Sequence, residues 1–146
     1  MIISTCSFRN PFGADGDNKK PEQIIMFDDR STVDIFTDPA KIEAASINDD
    51  RLNLTISFAG GCKQHEIKLY GAKHFMESYP LQAGVFLSQN AHQDSCEKHI
   101  QKKKIFDITP LKETCLESYS TVDSIMLRLY EPGATVALEP LLAYRF

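Results

Sequence analysis

Three observations predict an all-β chain. Apolar and polar residues alternate at period 2 through most of the organised sequence. Turn signals built from Gly, Pro, Asn and Asp recur between the alternating runs, and helical patterning is scarce. Together they predict an antiparallel β-sandwich, or a partly open barrel, of about seven to nine strands with at most one or two short helices.

The elements follow in chain order. IIMF at 24–27 and TVDIF at 32–36 are strand candidates. Asp38-Pro39 could cap a short helix over AKIEAAS, since Asp accepts from free N–H groups and Pro suits the first helical position. A strand through Ile42 and Ala44 is the better reading, because Asn48-Asp49-Asp50 makes a good turn into the next run. In that run, Arg51 to Phe58, the residues Leu52, Leu54, Ile56 and Phe58 share one face. Gln64 to Tyr70 alternates too, placing His65, Ile67 and Leu69 together. AGGCK lies between the two, and its glycines permit the positive φ of a tight connection, so the pair is predicted to form a hairpin.

Leu81 to Leu87 is a further strand, with Leu81, Ala83, Val85 and Leu87 on one face. Lys103 to Ile108 is short and β-prone. Thr109-Pro110 opens TPLKETCLESY, at most a short helix or 3₁₀ segment, with Leu111 and Cys115 one turn apart. Ser124 to Tyr130 brings Ile125, Leu127 and Leu129 together. Glu131-Pro132-Gly133-Ala134 has the residues of a type II turn. TVALEPLLAYRF reads as a last strand to the C-terminus, at an edge or bulged at Pro140, which cannot donate to a ladder.

The 146 residues suit one domain, and 42% apolar residues are enough for a core. The chain divides into an N-terminal tether or first strand (1–22) and a β-sandwich domain (23–146). A net charge of −4 argues against a general nucleic-acid binder. Lys102, Lys103 and Lys104, with Lys98 nearby, read as a solvated loop or the start of a strand rather than a phosphate site. No apolar stretch is long enough for a membrane-spanning helix. The opening MIISTC has two readings. It is similar to the end of a bacterial lipoprotein signal, with Cys6 as the acylated residue, Thr5 departing from the usual small residue and the apolar region lying upstream of Met1. It is equally an ordinary apolar start to a strand. SFRNPFGADGDNKKPEQ then reads as a polar tether or loop.

Cysteine and histidine supply the one chemical constellation. Cys62-x-x-His65 is spaced like a ligand pair, and His92-x-x-x-Cys96-x-x-His99 offers three more candidates for a tetrahedral zinc. The chain has no CxxC, and zinc fingers usually pair ligands of one kind at each turn. His65 has a structural alternative, as a core histidine bonded to a nearby carbonyl or carboxylate. Cys62 and Cys96 could instead form a disulfide, if the strand after the turn runs back beside it. Such a bridge would close a loop of about 35 residues, remove roughly 3.7 kcal/mol of unfolded-chain entropy and require an oxidising compartment. Cys115 reads as a buried free thiol. Cys62 with His65 as a thiolate–imidazole pair is a third reading, with no orienting third group in sight.

The run from Asp50 to Leu111 resembles a pattern of uncharacterised secreted proteins and lipoproteins of Bacteroidetes and related bacteria. Its parts here are Gly60-Gly61-Cys62-x-x-His65, the segment Phe75 to Asn90, Asp94-x-Cys96, and Phe106 to Leu111. The run is also distantly similar to the C-terminal β-sandwich of NigD-like proteins, some of which are described as bacteriocin-immunity proteins. The resemblance covers under half the chain. It implies an exported β-sandwich and a Cys62–Cys96 bridge, and it carries over no catalytic residue.

No Gly-x-Ser-x-Gly, phosphate-cradling glycine loop or HExxH is present. The expectation is therefore a non-enzymatic, exported and lipid-anchored module of the bacterial envelope, in the periplasm or at the outer-membrane surface. It binds an envelope protein or ligand, has no cofactor, and meets a membrane only through its anchor. The alternatives are a metal-binding domain and a thiol enzyme, either of which allows a cytoplasmic location.

Overall fold

The structure, a computed structural model, describes residues 20–146. Its strands form two sheets that share one core, a β-sandwich. The first sheet has the order β1 (Glu22–Gln23), β7 (Lys98–Asp107), β4 (Arg51–Gly60) and β3 (Lys41–Asn48). The second has the order β2 (Ile25–Phe27), β5 (Glu66–Ala72), β6 (Gln82–Asn90), β8 (Ser124–Tyr130) and β9 (Leu142–Arg145). A single described α-helix, α1 (Thr109–Ser118), joins β7 to β8.

The alternation in the sequence sets which side chains close the core. Leu52, Leu54, Ile56 and Phe58 of β4 are buried with Leu69 of β5, Val85 and Leu87 of β6, and Ile125 and Leu127 of β8. Each buried side chain of this size contributes about 1.5–3 kcal/mol. Phe106, Ile108, Leu111 and Cys115 add the end of β7 and one face of α1. Asp49 turns β3 into β4 with φ +56°, a conformation that Asp tolerates. The Glu131–Ala134 turn forms as predicted, with Gly133 at φ +75° and Ala134 N–H donating to the Glu131 carbonyl at 3.0 Å.

The predicted hairpin across AGGCK is corrected. β4 pairs with β3 on one edge and along its whole length with β7 on the other, which leaves β5 no edge to join. The glycine turn instead carries the chain from one sheet to the other, and β5 pairs with β2 and β6. The sheets are also mixed rather than purely antiparallel. β1 with β7, β2 with β5, and β6 with β8 are parallel pairs. The last follows from the route of the chain: it leaves the second sheet after β6, traverses the first as β7, and returns through α1.

TVDIF forms no strand. The Asp29 carboxylate accepts from the Ser31 N–H at 3.0 Å and caps a 3₁₀ turn at Arg30–Thr32. The chain then meets β6 only at its end, where the Gln89 N–H donates to the Phe36 carbonyl at 3.1 Å. Phe36 itself stays 42% exposed. β7 begins at Lys98 rather than Lys103, so the lysine run lies inside a strand. β9 is confined to the residues after Pro140 and lies at a sheet edge, as a proline without an N–H requires.

Candidate functional site

A dense polar cluster forms where the chain crosses between the sheets. β4 ends at Gly60, and Gly61 follows at φ +115°, which favours glycine. Gly60 is needed for a different reason. A Cβ there would lie 2.7 Å from His65 Nε2 and 3.0 Å from Asp94 Oδ2. Cys62 comes next and is bonded to Cys96, with the two Cα atoms 5.8 Å apart. The bridge ties the crossing to the loop between β6 and β7.

Asp94 organises both sides of the bridge. Its Oδ2 accepts from the backbone N–H groups of Cys62 at 3.2 Å and Lys63 at 3.0 Å, and from His65 Nε2 at 2.9 Å. Its Oδ1 accepts from the Cys96 N–H at 3.0 Å, the local turn that an Asp two residues before a cysteine makes. The side chains of His65 and Asp94 are 1% and 0% exposed. The hydrogen bond from His65, aided by the three backbone amides, holds the Asp94 carboxyl well below the usual carboxylate range, against the opposing effect of burial.

His65 is engaged on every side. Its Nδ1 lies 2.9 Å from Gln89 Oε1, and its ring stacks on Phe58 with centroids 4.5 Å apart. The amide of Gln89 is oriented by backbone carbonyls: Nε2 donates to Pro39 at 2.6 Å and, more weakly, to Asp38 at 3.4 Å. Each ring nitrogen of His65 thus lies within hydrogen-bond distance of a side-chain oxygen. Asp38 closes the outer rim by accepting from the Ala91 N–H at 2.8 Å.

The predicted residues separate at this corner. Cys62, His65 and Cys96 are brought together, with the two sulfurs bonded to each other and the histidine turned to Asp94 and Gln89. His92 has φ +54° and its Nδ1 meets the Gln64 carbonyl at 2.7 Å. His99 is exposed in β7, opposite Ala59. Among the described residues, the metal-ligating side chains that cluster are Cys62, Asp94 and Cys96, without a histidine. In the bridged state neither sulfur is a thiolate, the form that binds metals and attacks electrophiles. Cys115 is buried on the core face of α1, where burial pushes its thiol up from the ordinary value. Cys6 lies outside the described residues.

Gln89 and Asp38 have no signature in the sequence, since each acts through contacts made far along the chain. A second polar network, also unanticipated, sits at the opposite end of β4. Tyr144 is fully buried and donates its hydroxyl to Asp50 at 2.7 Å, and Lys112 Nζ reaches the same carboxylate at 3.0 Å. Beside it is an open polar depression of about 530 Å³ lined by Asn48, Asp50, Arg51, Asn53, Asp107 and Thr109.

Neither a protein-family model nor a curated protein sequence matches the chain. Solved structures do share its fold. A NigD-like immunity protein from Bacteroides caccae superposes with TM-score 0.61 at 14% identity, over 86% of this chain and 64% of that one. A protein of unknown function from Bacteroides vulgatus gives TM-score 0.53 at 17% identity, over 86% and 56%. A candidate lipoprotein from Bacteroides fragilis gives TM-score 0.57 at 10% identity, over 86% and 70%. The chain thus spans less than two thirds of the length of the first two.

Proposed function

We propose that the protein is an exported, lipid-anchored β-sandwich that serves as a binding or structural module of the bacterial envelope. The observation that carries this reading is the Cys62–Cys96 bridge, set in a corner whose polar groups are satisfied around it. Disulfides persist in oxidising compartments and are rare in the cytosol. The fold shared with a NigD-like immunity protein and a candidate lipoprotein supports the same placement. Cys6 is the residue that would bear the lipid, holding the sandwich in the periplasm or at the outer-membrane surface.

A non-enzymatic role agrees with the corner. Its cysteine is bridged, and its histidine is closed to solvent and bonded through both nitrogens. A nucleophile and base that can meet a substrate are the minimum for thiol catalysis. The test is a thiol count on protein recovered from its native compartment, with and without reductant. Two thiols becoming protected only in the unreduced sample is expected; free Cys62 and Cys96 in material from an oxidising compartment overturns the reading. Replacing Cys6 by Ala should move the protein from the detergent phase to the aqueous phase.

A further inference from the structure

We propose that the open edge of β7, from Lys98 to Ile105, receives an extended acidic segment of a partner protein as an added strand. This deepens the binding-module reading, on which it rests, by assigning the surface and the chemistry of the partner.

On one side β7 is paired with β4 from Lys98 to Asp107. On the other, β1 covers only Phe106 and Asp107. Among the described residues, no strand residue pairs with that side between Lys98 and Ile105. Eight residues of strand present about 26 Å of unpaired backbone, enough to template a further strand.

The short stretch already occupied shows what the edge accepts. β1 lies parallel to β7, and its Glu22 carboxylate meets Lys104 Nζ at 3.1 Å. Like charges oppose a longer β1. Extending the register would set Lys20 opposite Lys104, like charge against like charge. The open segment carries Lys98, Lys102, Lys103 and Lys104 and no acidic residue, in a chain of net charge −4. Lys102 and Lys104 pair with Ile56 and Leu54, while Lys103 pairs with Thr55. Cations therefore flank the edge on both faces of the sheet, and a guest with acidic residues on either face would meet them.

Lysines on an exposed edge also discourage pairing with a second copy, which would set lysine against lysine. That effect and the present proposal act together: the row that repels a like strand selects an acidic one. Among the described residues, Lys102 and Lys103 make no side-chain hydrogen bond or ion pair, whereas Lys104 meets Glu22.

The test uses the full chain and two ten-residue peptides, one alternating Glu with Val or Thr and one alternating Lys with the same residues. The Glu peptide should bind saturably and slow amide exchange between residues 98 and 105. A Lys102→Glu/Lys103→Glu variant, with an unchanged melting temperature, should bind it at least tenfold more weakly and gain affinity for the Lys peptide. The proposal is overturned if these amides are already protected in the free chain, if protection appears elsewhere, or if the variant binds the Glu peptide as well as the parent. None of these outcomes depends on thiol state or export, so this proposal and the envelope reading can fail separately.

Discussion

His65 Nε2 and Asp94 Oδ2 meet at 2.9 Å with both side chains closed to solvent, directly over the α-carbon of Gly60. The pair joins the crossing between the sheets to the loop that follows β6. The same carboxylate holds three backbone N–H groups, two before the bridge's partner loop and one within it. A buried charge costs stability unless it is paired and hydrogen-bonded, and here the carboxylate accepts from four donors, three on Oδ2 and one on Oδ1.

Asp94→Asn should destabilise the fold at neutral pH and free the loop at 91–97 to exchange its amides. The pH dependence has a definite sign. The folded carboxyl titrates below its unfolded value of about 3.9, so its contribution is fully present above that pH and is lost as pH falls toward the folded value. The stability difference between parent and Asn variant should therefore be constant from pH 5 to 7 and shrink below about pH 4. Urea titrations across that range measure it. A difference that grows in acid would contradict the assignment.

Gly60→Ala should cost about 1–3 kcal/mol through overpacking. The added Cβ would press on His65 Nε2 at 2.7 Å and Asp94 Oδ2 at 3.0 Å, and neither ring nor carboxylate can yield without breaking buried hydrogen bonds. Gly61→Ala should cost about 1–3 kcal/mol by a separate route, since φ +115° strains any residue with a Cβ. In an Asp94→Ser background, which removes the carboxylate, Gly60→Ala should cost less than it does in the parent, while the cost of Gly61→Ala should be unchanged. Chemical denaturation of the single and combined variants decides between the two causes.

Much of this architecture was legible because it is local. The inward faces of β4 and β6 follow from alternation, the Asp49 turn from its residues, and the placement of β9 from Pro140. His65 could be foreseen as a core histidine bonded to a carboxylate because its strand phase turned it inward. The hairpin expectation failed for a non-local reason. A glycine turn between two alternating runs serves a hairpin and a sheet-to-sheet crossing equally well, and only the competition of β3 and β7 for the edges of β4 decides. The same limit hid Gln89, Asp38 and the Tyr144–Asp50 contact, whose partners are 24 to 94 residues apart. TVDIF has the β-propensity of a strand, but the Asp29 cap upstream turns the chain through Arg30–Thr32 at its start.

Tyr144→Phe should cost about 1.5–3 kcal/mol, the range for a hydrogen bond to a charged group. The change keeps the ring in the core and removes only the hydroxyl on Asp50. Burial, then the Asp50 carboxylate, pushes the tyrosine far above its ordinary value. A raised folded value gives a contribution that is complete below the unfolded value of about 10 and is lost as pH rises through the folded one. The advantage of the parent over the Phe variant should hold to about pH 9 and shrink above about pH 10. Equilibrium unfolding at pH 7 and pH 11 provides the comparison.

Removing the bridge with Cys62→Ser/Cys96→Ser should cost about 2–4 kcal/mol by releasing a closed loop in the unfolded chain. The bridge spans a sequence separation of 34, and Asp94 lies inside that span, two residues from its end. The carboxylate and the bridge thus restrain the same two segments, the one at Cys62–Lys63 and the one at Cys96. Once either is gone, the segments separate more readily and the other has less left to hold. The triple variant with Asp94→Asn should lose less stability than the sum of the two separate losses, as contacting groups in one network do. A double-mutant cycle under non-reducing conditions tests this. Strict additivity would mean that Asp94 and the bridge act on different parts of the fold, and that the corner is two contacts rather than one clamp.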